Sequence, residues 1–331
     1  MAKTAKTASK TRTKTFTACP FCGGGITRKY EGLQDRFDTT TRTFSVSECM
    51  QCHAGFLNPM PVGDASSFYP TNYLSGEDEE ARTSGGFDFE RWYRDNQCRF
   101  DFGLLARATG ISLGKAASYI DIGCGSGERV LFAEAEGCKR SAGLDKFDFK
   151  KSATRRGSEF IKSEILDFDP KQKFQVASLF HVLEHIENPE EVLAHIRSKI
   201  VQKGGYLIIQ VPNYGSMERR FFGRRWFCFD VPRHLWQFNQ AAVTGLLEKT
   251  GYKVEKTYQV NAPLHPVTIV PSLHRELDIQ RIWVKRTHGV GYKRLMTLLW
   301  AGLTVLTIPV SLIQNLFKRS SMLTVIASVK T

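Results

Sequence analysis

The chain has 331 residues, 42% of them hydrophobic and 11% aromatic, so it can bury a full core and general disorder is excluded. The formal net charge is +13, and +8 remains after the five basic residues of 1–14 are set aside, which favours an anionic partner such as nucleic acid or a phospholipid surface. The first fifteen residues lack the apolar run of a secretory signal, so we expect a cytoplasmic chain with reduced cysteines.

The N-terminal residues predict a disordered basic tail over 1–17 and a zinc ribbon over 18–60. Two CxxC pairs lie 26 residues apart, and the stretch between them has the Thr and Phe content of short strands. Four thiolates form the closed tetrahedral shell that structural Zn²⁺ prefers. The alternatives are buried free cysteines or a redox pair, but the latter lacks a surrounding βαβ pattern. The predicted ligands are Cys19, Cys22, Cys49 and Cys52.

Residues 61–114 are expected to form a linker and an N-terminal helical segment. The acidic, glycine-containing run from Ser75 to Gly86 is typical of a mobile linker. Alternating apolar strands and amphipathic segments then continue over 115–261, and this β/α order predicts a parallel sheet covered by helices.

A glycine-rich loop follows the first apolar strand of this region. Gly123, Gly125 and Gly127 permit a tight turn and bring backbone close to a ligand at the start of the next helix. The dinucleotide fingerprint GxGxxG would require glycine where Glu128 stands, so NAD is disfavoured. The loop therefore predicts a nucleotide-type ligand other than NAD.

The segment Asp121-Ile-Gly-Cys-Gly-Ser-Gly127 resembles motif I of the class I S-adenosylmethionine-dependent methyltransferases. The resemblance implies a Rossmann-like sheet of seven strands, here with an N-terminal zinc ribbon and an apolar C-terminal insertion. It also implies S-adenosylmethionine as cofactor, with an acid after the second strand on the ribose and an Asp-Phe pair on the adenine. The cofactor-binding residues implied in this way are Asp121, Gly123, Gly125, Gly127, Asp145, Lys146, Asp167, Phe168 and His181.

A narrower resemblance rests on three further segments. The CxxC ribbon, Leu183-Glu-His-Ile186 and Asp230-Val-Pro-Arg-His-Leu-Trp-Gln-Phe238 are similar to ubiquinone-biosynthesis-type methyltransferases of bacteria. That subgroup implies O- or C-methylation of a small-molecule, lipid-linked or glycan acceptor.

Histidines beyond the carboxyl ends of the strands are the candidate proton acceptors, because ligands of parallel sheets bind at that edge. We predict His185 and His234 as catalytic residues, with Glu184 orienting His185 or joining a second metal site. Arg233 is either an anchor for an anionic acceptor group or a solvated side chain. The aromatic and basic residues of 219–236 are expected to form a lid over the acceptor pocket.

Two other functions stay open. Zinc ribbons and arginine-aromatic segments also bind RNA, although the segment Phe180-His-Val-Leu-Glu-His185 lacks the Asn/Asp-Pro-Pro-aromatic pattern of base amine methylation and a Cys-Pro nucleophile. A non-catalytic cofactor-binding scaffold is the third possibility. Nucleic acid is thus a less favoured partner than a small-molecule or lipid-linked acceptor.

Residues 262–321 are predicted to form an apolar and basic insertion before a final strand over 322–331. Leu295–Phe317 contains no formal charge over 23 residues and is long enough to cross a membrane. The final strand must return to the sheet, so we expect a hairpin broken at Pro309 or a helix lying in the membrane interface. A soluble lid, a dimer helix and true insertion are the alternatives. Interfacial contact would place the protein on the inner face of the membrane, with basic residues of 275–294, among them Arg275 and Arg281, meeting anionic lipids.

Overall fold

The computed structural model describes residues 12–63, 65–70, 89–147, 158–262, 268–284 and 289–330. The strands are β1 (Arg12–Lys14), β2 (Ile26–Gln34), β3 (Thr43–Cys49), β4 (Gly55–Leu57), β5 (Met60–Val62), β6 (Tyr119–Ile122), β7 (Ser141–Asp145), β8 (Glu159–Lys162), β9 (Phe174–Phe180), β10 (Val201–Pro212), β11 (Trp236–Gln237), β12 (Tyr252–Tyr258) and β13 (Met322–Val329). The α-helices are α1 (Phe89–Thr109), α2 (Glu128–Ala135), α3 (Pro189–His195), α4 (Met217–Phe222), α5 (Gln240–Lys249), α6 (Ile269–Leu273), α7 (Ile279–Val284) and α8 (Val290–Leu316).

A seven-stranded sheet forms the centre of the molecule, in the order β12-β13-β10-β9-β6-β7-β8. The five strands from β10 to β8 run parallel, whereas β13 is antiparallel to both of its neighbours, β10 and β12. Parallel strands are covered on both faces, and β6 and β9 are accordingly buried along almost their whole length. The predicted class I methyltransferase sheet is confirmed, including the returning final strand.

Helices cover both faces of this sheet. Successive residues of β10 point to opposite sides, so Ile208 packs in one apolar cluster and its neighbours Leu207 and Ile209 pack in the other. The first cluster includes Phe102 of α1 and Phe132 of α2, and the second includes residues of α3 and α5. The core is therefore a three-layer α/β/α arrangement.

The N-terminal ribbon is continuous with the core. Its antiparallel sheet has the order β11-β4-β3-β2, and β11 comes from the segment after β10, with Trp236 paired to Phe56. Val46 and Phe56 belong to the same apolar cluster as Leu207. The boundary predicted at residue 60 thus separates two stretches of sequence that share one folded core.

The segments just before and just after the ribbon sheet form a short pair of strands. Residues 12–14, which we assigned to a disordered tail, form β1 and pair antiparallel with β5. Residues 1–11 and the predicted linker from Ser75 to Gly86 lie outside the described residues.

The C-terminal insertion ends in one continuous helix, α8, with Pro309 inside it. The predicted hairpin is therefore wrong. Among the described residues, α8 is the one helix long and apolar enough to cross a membrane, and 11% of its most apolar 18-residue stretch is buried. It packs against α6 and α7.

Candidate functional site

The glycine loop joins β6 to α2 and turns with left-handed backbone. Gly123, Gly125 and Gly127 have φ angles of 74°, 52° and 77°, a region that side chains with a Cβ disfavour. A Cβ on Gly123 would lie 2.4 Å from Cγ2 of Val182, whereas a Cβ on Gly125 would meet nothing within 4 Å. The loop is thus closely packed at its first glycine and open at its second, as a cradle for a ligand requires.

Asp145 ends β7 and joins the loop. Its carboxylate accepts hydrogen bonds from the amides of Gly125, at 2.9 Å, and Phe147, at 3.0 Å. The residue is half-buried, and each carboxylate oxygen has a further lone pair that could accept a ribose hydroxyl. Lys146 beside it is exposed. These positions fit the nucleoside part of S-adenosylmethionine.

Asp121 lies within the sheet rather than on its rim. Its carboxylate accepts a 2.6 Å hydrogen bond from the Ser178 hydroxyl, and burial raises its pKa to about 6 against the opposing effect of Arg129. Arg129 also pairs with Asp101 of α1. Asp121 is therefore placed to support the loop from inside the protein.

The remaining cofactor candidates line neighbouring strand ends. Asp167 ends a 3₁₀ turn after β8 and is exposed, and Phe168 is half-buried with its carbonyl accepting a hydrogen bond from His195. His181 follows β9 in left-handed backbone, with φ 57°, and its amide donates to the Gln210 carbonyl. The ends of β6, β7, β8 and β9 thus present all the predicted cofactor residues except the buried Asp121.

Glu184, His185 and His234 come together although the two histidines are 49 positions apart in the sequence. The imidazole centroids are 4.7 Å apart, and Nε2 of His234 lies 3.9 Å from Oε1 of Glu184. Nδ1 of His181 is 3.5 Å from the same carboxylate oxygen. The three predicted catalytic residues therefore form one cluster beside the candidate cofactor residue His181.

Both predicted catalytic histidines are oriented by backbone carbonyls. Nδ1 of His185 lies 3.0 Å from the Arg233 carbonyl, and Nδ1 of His234 lies 2.8 Å from the Cys228 carbonyl. A carbonyl only accepts, so each Nδ1 carries a proton, and in a neutral imidazole with this tautomer Nε2 has the lone pair. The lone pairs can accept a proton from a substrate. Ligand atoms of the three side chains also lie within 4.8 Å of one another, a spacing that would admit a divalent cation.

The electrostatics of this cluster keep the carboxylate charged and the imidazole of His185 neutral. Burial by itself raises the pKa of Glu184, but its interactions with His181, His234 and His185 hold the pKa below the ordinary value. Burial lowers the pKa of His185 to about 4, and the neighbouring His234 lowers it as well. Glu184 is fully buried, and neither of its carboxylate oxygens has a hydrogen-bond partner among the described residues.

Tyr69 is a site residue that sequence reasoning missed. Its hydroxyl lies 3.3 Å from Nδ1 of His185, and its ring is close to Phe147. Tyr69 was predicted only to belong to the linker and helical segment of 61–114, and no spacing signal links it to a histidine 116 positions later.

The Sγ atoms of the four predicted zinc ligands lie close together in the ribbon, all within 4.8 Å of one another. The Sγ atoms of Cys19 and Cys52 are 3.7 Å apart and those of Cys22 and Cys49 are 3.5 Å apart, too long for a disulfide bond. A tetrahedral zinc with bonds of about 2.3 Å spaces its sulfurs by about 3.8 Å, so the set fits this ion. Burial acts to raise the pKa of Cys49, but amide hydrogen bonds from Cys52 and Gln51 lower it to about 7.

Arg233 serves neither of its predicted roles. Its fully buried guanidinium donates to Asp35 at 2.7 Å, to Asp230 at 2.6 Å and to the Phe68 carbonyl at 2.8 Å. All three acceptors are groups of the protein itself, so the guanidinium is already satisfied without a ligand. Arg233 therefore joins the ribbon to the segment that carries His234, and the prediction of an acceptor anchor is wrong because its donors are already used.

The aromatic segment is mostly an internal interface and not a lid. Trp236 is buried and its ring contacts Phe16, Phe21 and Phe56 of the ribbon region. Phe229 is buried against Tyr30. Of the six aromatic residues assigned to the lid, Phe221 alone is strongly exposed, at 81%. The lid prediction is wrong because these rings stabilise the contact between ribbon and core.

Comparisons with known proteins identify the family of the chain. A family model described as a methyltransferase domain matches residues 92–257. Among solved structures, an S-adenosylmethionine-dependent methyltransferase from Archaeoglobus fulgidus is similar at 18% identity and TM-score 0.43, covering 73% of this chain and 100% of that one. The 1,6-didemethyltoxoflavin-N1-methyltransferase of Burkholderia thailandensis is similar at 14% identity and TM-score 0.45, covering 85% and 98%. No curated protein matches the chain.

Proposed function

The chain belongs to the methyltransferase-domain family and is an S-adenosylmethionine-dependent methyltransferase, and on that basis we propose that it methylates an oxygen of a small-molecule or lipid-linked acceptor. The observation that carries this proposal is the Glu184, His185 and His234 cluster beside the candidate cofactor residues. A hydroxyl must lose its proton as it is methylated, and imidazole nitrogens with free lone pairs next to a buried carboxylate can take that proton.

In this proposal the cofactor supplies an electrophilic methyl group on a sulfonium. Gly125 and its neighbours in the loop bind the methionine part, and Asp145 binds the ribose. Because methyl transfer is an in-line displacement, the largest contribution of the protein is to hold the acceptor oxygen about 3 Å from the methyl carbon. His181 stands beside the cluster, between the two sets of residues.

Proton removal is then shared by the cluster. His185 is neutral at pH 7, because its pKa is lowered to about 4, and its Nε2 accepts a hydrogen bond from the acceptor hydroxyl. Glu184 and Asp230 lie 3.9 Å and 3.8 Å from Nε2 of His234, so two carboxylates stabilise a positive charge there. The proton that leaves the acceptor therefore passes to Nε2 of His185, and the carboxylates of Glu184 and Asp230 stabilise the positive charge that the cluster gains.

The acceptor class is supported by the narrower resemblance to ubiquinone-biosynthesis-type methyltransferases, carried here by Leu183–Ile186, Asp230–Phe238 and the ribbon. The direct test is transfer of radiolabel from S-[methyl-³H]adenosylmethionine to fractionated native extract. Label in the lipid or small-molecule fraction supports the proposal, whereas RNase-sensitive label would assign the enzyme to RNA. Cofactor binding without any transfer would favour a scaffold.

The catalytic assignment has its own test in variants. We expect His185→Ala and Glu184→Gln to lower kcat at least about a hundredfold while the Kd for the cofactor changes less than about threefold. His274→Ala is the matched control, since His274 is exposed and lies outside the cluster. An unchanged kcat in both cluster variants would remove the proton-acceptor role.

We also propose that Cys19, Cys22, Cys49 and Cys52 bind a structural zinc ion. The support is their sulfur spacing and a direct link from the site to the core: the Asn239 side chain donates a 2.6 Å hydrogen bond to the Cys52 carbonyl and caps α5. A closed sulfur shell offers no position to a substrate. Zinc would thus stabilise the ribbon, and through β11 it would position His234.

A further inference from the structure

Helix α8 presents its apolar side chains outward and its polar side chains toward the protein. The exposed set is 52–77% accessible and includes Leu295, Leu298, Val305, Leu306, Leu312 and Leu316. At 100° per residue these six fall within an arc of about 120°. The buried residues of the helix are Thr304, Ser311 and Gln314, which lie on the opposite side.

This orientation of α8 is the reverse of the one that is stable in water. An amphipathic helix at the surface of a soluble protein turns its apolar stripe to the core and its polar face outward. In α8 the inward face instead makes polar contacts: Trp283 donates to the Thr297 hydroxyl at 3.1 Å, and Asn315 exchanges two hydrogen bonds with Asn261. The outward face therefore requires an apolar environment outside the described part of the chain.

The helix cannot cross a membrane on its own. It is about 40 Å long, which would be sufficient. Its first turns are held by Trp283 of α7, and its last turn is held by Asn261, close to the end of β12. Directly after it, β13 pairs with β10 in the central sheet. Both ends of α8 are thus fixed to the same catalytic domain, so the helix must lie along a surface.

Charge identifies which surface. Arg294 flanks one end of the uncharged stretch and Lys318 and Arg319 flank the other, and all three are exposed, whereas Lys293 is turned to α7 and donates to the Trp283 carbonyl. A second copy of this chain would bring the three exposed basic residues near those of its partner, whereas an anionic bilayer would neutralise them. Arg275 and Arg281, which we expected to meet lipid, instead pair with Asp38 of the ribbon, and Arg281 is buried.

We propose that α8 is a membrane-docking helix that lies in the interface of an anionic bilayer, with its leucine-rich face among the acyl chains. This proposal does not depend on the acceptor. The unit that docks is also connected to the candidate active site, because Ser272 of α6 accepts a 2.9 Å hydrogen bond from the amide of Phe227, seven residues before His234. An acceptor dissolved in the membrane would therefore reach an enzyme already held at its surface.

The test is flotation of the full chain with vesicles of phosphatidylcholine alone or with about 30% phosphatidylglycerol. We expect binding to the anionic vesicles that weakens with salt and is at least about tenfold weaker to neutral ones. Leu298→Asp with Leu306→Asp should lower binding at least about tenfold, and Arg294→Glu with Arg319→Glu should remove the preference for anionic lipid. Leu166→Asp and Lys171→Glu with Lys203→Glu are the matched controls, since these residues are exposed and lie outside α8.

We expect all of these variants to retain the fold, because the substituted residues are exposed. Circular dichroism and binding of S-adenosylhomocysteine check this. Absence of the wild-type chain from both kinds of floated vesicle would overturn the proposal. So would a dimer in sedimentation equilibrium that the two leucine substitutions dissociate while vesicles bind nothing, because a second copy would then cover the helix. Flotation needs no turnover, so its result is separate from that of the methyl-transfer assay.

Discussion

Replacement of Arg233 by methionine tests whether ribbon and catalytic core form one cooperative unit. Methionine has a similar length but no charge, so Asp35 and Asp230 would lose a fully buried partner. Removing one member of a buried ion pair costs about 3–5 kcal/mol. Asp35 keeps donors from Phe37 and Thr39, and Arg36 stays 3.6 Å from Asp230, so we expect the lower end, about 3 kcal/mol.

Urea unfolding followed by tryptophan fluorescence measures this loss, because Trp226 and Trp236 are buried in the shared core. Arg220→Met is the matched control, since Arg220 is exposed, and we expect a change within about 0.5 kcal/mol. Arg233→Lys keeps the charge but cannot reach three acceptors, so it should recover only part of the loss. A loss below about 1 kcal/mol in Arg233→Met would refute the argument that this arginine joins the two parts.

Three other changes test separate parts of the structure. Asp145→Ala should weaken S-adenosylmethionine binding more than about tenfold in calorimetry, because the carboxylate holds the Gly125 amide, while exposed Asp169→Ala should not. Cys49→Ser should release zinc and lower the melting temperature of the whole chain, since β4 pairs with β11; stoichiometric zinc in elemental analysis would contradict this. Burial raises the pKa of Glu218 to about 7 from 4.5, so its contribution to stability is present below about pH 4.5 and is lost as pH rises through 7. Glu218→Gln should therefore remove about 3 kcal/mol of pH dependence between about pH 4 and pH 8 in urea unfolding, and an unchanged slope would exclude that titration.

Local features of the sequence were sufficient for the catalytic sheet. The strands β7 and β9 lie within the β/α region predicted over 115–261, because short buried strands between turn signals can be recognised locally. The glycine loop was recognisable for a similar reason, since residues that must adopt positive φ are adjacent in sequence. The clustering of His185 and His234 followed from a general rule on the open edge of parallel sheets.

Contacts between distant residues were not readable in the same way. Arg233 and Asp35 are 198 positions apart, and nothing in the local sequence around either residue predicts that they pair. The same is true of β11, whose two residues complete the ribbon sheet and convert the predicted lid into an internal interface. The contact between Tyr69 and His185 also could not be predicted, because the segment that contains Tyr69 has no periodic pattern.

The amino-acid sequence by itself determined the class I methyltransferase sheet, its glycine loop, the cysteine set and the presence of a long apolar segment, because each depends on residues close together in the chain. Only the tertiary structure decided that the ribbon shares the catalytic core, that Arg233 is an internal ion pair and that α8 turns its leucines outward. The physical reason is that burial and ion pairing depend on partners that are far apart in the sequence. Likewise, which face of a helix is buried is decided only by the surface that the helix packs against.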